Sequence, residues 1–144
     1  MSREIRLARP DDLPAVFALR HVVFVLGQDV PEEMERDELD DAVDHGVAFS
    51  DGMLVATGRL LPPTDETPAA TIGRMAVDEE VRGQGFGTLV LELLEQTARE
   101  RGWPAVELHA QLHAKAFYDR AGYTPYGDVY LEAGIEHLSM RKDL

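Results

Sequence analysis

Val77-Asp78-Glu79-Glu80-Val81-Arg82-Gly83-Gln84-Gly85-Phe86-Gly87-Thr88-Leu89 decides how the rest of the chain is read. It lies between an apolar, strand-like run, Thr71 to Val77, and a helix-like run, Phe86 to Arg101. Gly83, Gly85 and Gly87 fall at alternate positions. Glycine lets a backbone take positive φ and lets a ligand approach the main chain closely. A helix that follows offers unpaired N–H groups and the positive end of its dipole in its first turn. Glycines feeding a helix N-terminus therefore make a cradle for phosphate, and Arg82 adds a positive charge beside it. The stretch predicts docking of a phosphorylated cofactor. A glycine-rich turn without a ligand is the plain alternative.

Known phosphate loops narrow the choice. A Walker A loop needs Gly-x-x-x-x-Gly-Lys-Ser/Thr, and Gly83 to Thr88 supplies no such lysine. A dinucleotide fingerprint needs Gly-x-Gly-x-x-Gly, and here Gly87 comes one residue early. Glu107 does lie about twenty residues further on, where that fingerprint places an acid.

Outward from the loop, the pattern gives strands and helices in alternation. Glu4 to Ala8 alternates as an edge strand. Asp11 or Asp12 caps a helix with apolar spacing from Leu13 to Phe24, stopped at Gly27. Val30 to His45 is expected as a second, acidic helix. Val47–Phe49 and Leu54–Leu61 read as strands joined at Asp51-Gly52, a hairpin signal. Pro62 to Pro68 is a loop, and Ala70 to Val77 is the strand before the glycines. After the helix, ended by Gly102, Ala105–Ala110 reads as a strand parallel to Ala70–Val77, since such a unit needs a right-handed crossover. Ala114–Arg120 is a short helix before Gly122. Tyr123–Glu132 and Glu136–Met140 close the chain as a hairpin across Ala133-Gly134.

The composition bounds the function. A chain of 144 residues suits one domain with a core of its own. No apolar run approaches the ~18 residues of a membrane helix, and the start, Met1 to Arg6, is too polar for a signal peptide. The chain has no cysteine, which excludes disulfides, thiolate metal sites and cysteine nucleophiles and fits a reducing cytoplasm. A net charge of −13 makes nucleic acid an unfavourable partner. Much of the excess is local: nine acids and one base, Arg36, lie between Asp29 and Asp44. That run reads as a solvated helix face, or as an attractor for a cationic amine.

The pattern Arg82-x-x-Gly85-x-Gly87, between strand and helix, resembles the acyl-CoA pyrophosphate loop of the GNAT N-acetyltransferases. A second block, Ala114-Lys115-Ala116-Phe117-Tyr118-Asp119-Arg120-Ala121-Gly122-Tyr123, is similar to that family's Ala-x-x-Phe-Tyr-x-x-x-Gly-Phe segment. The likeness extends over essentially the whole chain. Arg20-His21-Val22-Val23-Phe24-Val25-Leu26-Gly27-Gln28 resembles a segment of the ElaA-like branch, as do Ala110-Gln111, His113 and the tail Val129 to Met140. In two places the chain departs from the pattern. Gly27 stands where the branch carries glutamate, and Gln111 stands where many family members place the asparagine that bonds the pantetheine arm.

The resemblance implies one α/β domain over residues 1–144. It implies a mixed, mostly antiparallel sheet of about seven strands, splayed between the fourth and fifth and flanked by about four helices. It implies transfer of an acetyl group from acetyl-CoA to a small-molecule or peptide amine, with a homodimer as a possible assembly. Arg82, Gly83, Gln84, Gly85, Phe86, Gly87 and Thr88 would hold the pyrophosphate. Met75, Ala76 and Val77 would pair with the pantetheine arm, assisted by Gln111 and Tyr118, and an amide near Ala76 or Val77 would polarise the thioester carbonyl. Tyr118 is the expected acid for the leaving thiolate. The base is open among Glu107, His109, His113, Glu132, His137 and a water chain; a histidine suits the task near neutral pH. Glu132 and His137 are the chosen catalytic pair, and with Arg20 and Phe24 they are expected to line the amine pocket. No metal is expected: His109 and His113 are spaced four apart, but across a strand-to-helix junction. A non-catalytic acyl-CoA-binding module of the same shape is the alternative, followed by a nucleotide-binding or purely interacting domain.

Overall fold

The computed structural model describes residues 2–144. It contains strands β1 (Arg3–Leu7), β2 (Asp44–Ser50), β3 (Met53–Leu61), β4 (Ala70–Val77), β5 (Ala105–Gln111), β6 (Thr124–Glu132) and β7 (Ile135–Asp143). Its α-helices are α1 (Leu13–Arg20), α2 (Glu32–Glu35), α3 (Phe86–Glu100) and α4 (Lys115–Arg120). The strands form one mixed sheet in the order β1-β2-β3-β4-β5-β7-β6, with the parallel pairing between β4 and β5. Among the described residues that parallel ladder comprises only Ala70 with Val106 and Thr71 with Glu107.

By its contacts the chain divides into two compact units. One runs through Leu60 and resumes over Arg74–Leu94; the other comprises Leu61–Gly73 and Glu95–Leu144. In the first unit α3 buries the apolar stripe Phe86, Val90, Leu91 and Leu94. Gly58 of β3 is packed so closely that an added Cβ would collide with the Met75 sulfur of β4 and come within 3.0 Å of Leu94 on α3. A second apolar group joins Leu19 and Val23 to Ala76, with Phe24 and Leu54 packed against it.

In the second unit β5 pairs with β7 and β7 with β6, both antiparallel. Period-two alternation sorts the side chains. Val106, Leu108, Ala110, Leu138 and Met140 are buried. The intervening residues of β5, namely Glu107, His109 and Gln111, stand opposite Arg141, Ser139 and His137 of β7. A buried brace ties this unit together: the Tyr123 hydroxyl donates to Glu95 Oε2 at 2.7 Å, and Lys142 Nζ donates to Glu95 Oε1 at 3.1 Å. The β6–β7 turn uses left-handed backbone at both Ala133 (φ 51°) and Gly134 (φ 75°).

The acidic segment corrects the sequence reading. The helix expected over Val30 to His45 is confined to the single turn α2 and a 3-10 turn at Glu38–Asp41. Arg36 and Asp37 between them are extended, and β2 already begins at Asp44. The reason is electrostatic. Glu35 and Asp40 are buried, so they do not belong to a solvated face. The backbone breaks to aim both carboxylates inward at arginines, while Glu32, Glu33, Glu38 and Asp41 stay exposed. The first helix also changes character: after Arg20 it continues as a π-helical stretch, His21–Leu26.

Candidate active site

The glycine loop is staged by the end of β4. Asp78 N donates to Val55 O at 2.8 Å, and a 3-10 turn at Glu79–Val81 follows. Gly83 and Gly85 take φ of 83° and 87°, a region that favours glycine. An added Cβ at either would meet nothing within 4 Å, so conformation, not crowding, calls for glycine. Arg82, Gly83, Gln84, Gly85 and Thr88 are exposed, Gly87 is half-buried and the Phe86 ring is buried. The first helical bond of this turn is Leu89 N to Gly85 O, at 3.1 Å. The N–H groups ahead of it have no intrahelical partner. Arg82 turns back to donate from Nε to Val77 O at 3.3 Å. Arg3 was not singled out in the sequence, yet it packs on the loop. Its guanidinium lies 4.4 Å from the Phe86 ring centre and donates to Gln84 O at 2.9 Å. An exposed, left-handed, cation-flanked loop at the start of a helix fits a pyrophosphate.

Of the three β4 residues expected to meet the pantetheine arm, Ala76 is buried, and Met75 and Val77 are half-buried. Tyr118 lies on α4 with 8% exposure, edge-on to Phe117 at 5.0 Å and to Tyr123 at 5.8 Å. Burial pushes its phenol up to about 12, which keeps the hydroxyl protonated.

The polar face of β5, β7 and β6 gathers most of the remaining candidates. His137 is 7% exposed. Its Nδ1 donates to Ile135 O at 2.7 Å, since a carbonyl can only accept. Nε2 therefore carries the lone pair of the neutral ring, and it lies 3.6 Å from Glu132 Oε2. Tyr130, directly opposite His137 in register, stacks on its ring at 5.8 Å, and His109 meets Tyr130 edge-on at 6.3 Å. Gln111 also pairs with His137 in register and accepts from His113 Nε2 at 2.6 Å. His109 and Ser139 are in contact at 3.3 Å. Glu107 lies at the far end of the face and accepts from the Tyr126 hydroxyl at 2.9 Å. A groove of ≈ 720 Å³ opens at that end, bordered by Glu107, Tyr126 and Arg141. Tyr130 was missed in the sequence. The signal was its alternation with Glu132 on a strand facing His137.

Arg20 departs from its expected place on a pocket wall. It is fully buried. Its guanidinium donates to both Glu35 oxygens, to Glu35 O and to both Asp40 oxygens, at 2.6–3.2 Å. Those donors are spent inside the fold and not offered to a substrate. Phe24 is partly buried against Leu19, Val23 and Ala76. Arg59 joins the network through Asp37 and Asp40, and Arg74 through Asp37 at 3.6 Å and Glu35 at 4.0 Å. Burial alone would raise the Asp40 carboxyl, but hydrogen bonds from Arg20, the Asp37 backbone and Arg59 hold it well below the usual carboxylate range.

Residues 20–144 match the acetyltransferase (GNAT) domain family, and the chain belongs to that family of acyltransferases. It is 33% identical over 135 residues to the protein ElaA of Escherichia coli, covering 92% of this chain and 88% of that one. The crystal structure of E. coli ElaA superposes with a TM-score of 0.84 at 30% identity, covering 98% of this chain and 99% of that one. An acyl-CoA N-acyltransferase from Pseudomonas aeruginosa superposes with the same score at 37% identity, again covering 98% and 99%.

Proposed function

We propose that this chain transfers the acetyl group of acetyl-CoA to a primary amine by direct attack on the thioester. The observation that carries the reading is the fixed ring of His137. Ile135 O holds its Nδ1–H, so in the neutral ring it is Nε2, 3.6 Å from Glu132 Oε2, that carries the lone pair. Such a pair suits a cationic amine: Glu132 attracts it and His137 accepts its proton, directly or through water. Tyr130 supplies an aromatic wall. The loop Arg82–Thr88, assisted by Arg3, holds the pyrophosphate of the cosubstrate, and Met75–Val77 and Gln111 take its pantetheine arm. The amine nitrogen bonds to the acetyl carbon, the C–S bond breaks with its electron pair on sulfur, and Tyr118 donates the proton that the thiolate takes. Burial supports Tyr118 as that acid, because it stays protonated across the working range. Residues 1–144 act as one catalytic domain in this reading.

The test is thiol release from acetyl-CoA with a panel of small and peptide amines. Turnover with at least one amine, lost in His137→Ala while acetyl-CoA still raises the melting temperature, is the expected result. Acetyl-CoA binding without turnover on any amine would favour the non-catalytic module instead.

A further inference from the structure

Arg74 stands in β4 immediately before Met75, Ala76 and Val77, and it has left-handed backbone, φ 53°. A long, non-glycine side chain inside a strand disfavours that region, and such strain persists only where surrounding contacts enforce it. The contacts here come from α2. Arg74 Nε donates to Glu35 O at 2.9 Å and Nη2 donates to Met34 O at 3.3 Å. Asp37 Oδ2 adds an ion pair at 3.6 Å. The guanidinium thus caps the carbonyl end of a one-turn helix whose own side chain, Glu35, is locked to Arg20. The site is electrostatically crowded: burial, then Arg59 and Arg20, lower the pKa of Arg74. A cation held against two other cations, on a strained backbone, marks a position whose geometry is enforced.

We infer that Arg74 is a positioning residue: its grip on the Met34 and Glu35 carbonyls holds the left-handed kink that aims the Met75–Val77 backbone. The inference rests on the proposed transfer reaction, in which that backbone meets the cosubstrate. Small misplacements of groups that meet a reacting centre are costly, up to about 10²-fold in rate for ~1 Å. Two variants separate the roles of the side chain. Arg74→Gly tolerates the φ and removes the grip. Arg74→Lys keeps the charge and the strain but cannot span both carbonyls, because it lacks the planar fork.

Amide hydrogen exchange at Met75, Ala76 and Val77 is the readout that needs no substrate. Both variants are expected to exchange at least about tenfold faster there than the native chain. With an accepted amine, kcat is expected to fall about tenfold in both, with the amine KM within about twofold of native. Native exchange rates in a folded Arg74→Gly or Arg74→Lys would overturn the inference. So would a lowered melting temperature with unchanged kcat, which is what a purely structural tie gives. If the native chain turns over no amine, the transferase reading fails, and the exchange comparison alone still decides whether Arg74 holds the strand.

Discussion

In the proposed reaction His137 and Tyr118 carry opposite proton tasks, and their surroundings suit them. The lone pair of His137 is presented by the Nδ1–H bond to Ile135 O, whereas the proton of Tyr118 is retained by burial. Tyr118→Phe is expected to keep fold and acetyl-CoA binding while lowering kcat about 10²-fold, the low end for a lost general acid, because a thiolate leaves readily. Its raised pKa sets the pH signature. Loss of the phenol proton should bring no falling limb in kcat until pH approaches about 12, against ~10 for an exposed phenol. A kcat profile measured from neutral to alkaline pH checks both statements. Glu132 is 58% exposed. Glu132→Gln is therefore expected to raise the amine KM with little cost in stability, which steady-state kinetics alongside thermal melts would read. These residues were legible in the sequence as types near strand ends. Their roles were not, because the lone pair of His137 is fixed by a carbonyl two residues away and the partnership of Tyr130 depends on register. Arg20 shows the opposite failure: it stood in a segment matching a known branch, but its donors are all turned into the fold.

At the scale of elements, the glycine loop with its following helix was the most legible feature, because left-handed glycines and an apolar stripe are local signals. Gly85→Val should abolish the rise in melting temperature given by acetyl-CoA. The cause is the φ of 87° together with obstruction of the ligand, since an added Cβ meets no protein atom. The acidic stretch was the least legible. Nine acids in sixteen residues suggested a solvated helix, and no local rule showed that Glu35, Asp37 and Asp40 would each be met by an arginine from another element. The β6–β7 turn gives a direct stability test. Ala133 sits at φ 51°, where a Cβ costs about 1 kcal/mol. Ala133→Asn supplies a residue that such turns favour and is expected to raise the melting temperature by roughly 2–4 °C.

For the molecule as a whole, a net charge of −13 coexists with an interior in which charge is closely matched. Arg20, Arg59 and Arg74 face Glu35, Asp37 and Asp40, three cations to three anions. Asp40 decides the behaviour in acid. Its carboxyl is depressed in the fold, so its stabilisation is complete above the unfolded value near ~3.9 and is lost as pH falls through the lower folded value. The melting temperature should fall steeply below about pH 4, and Asp40→Asn should start lower at neutral pH with a flatter acid limb. Arg20→Met takes its close ion partner from buried Glu35 and leaves Asp40 with Arg59 alone among the arginines, and is expected to cost about 3–5 kcal/mol by denaturant unfolding. Removing the whole set is a different matter, and heat brings out the difference. The penalty for dehydrating charges shrinks on warming, while apolar burial gains little more. A chain with Arg20, Arg59, Arg74, Glu35, Asp37 and Asp40 all replaced together by apolar residues can match the native one in the cold, yet it lacks a term that strengthens with temperature. The ionic cluster thus acts as a reserve against heat, and the two stability curves should separate as the sample warms.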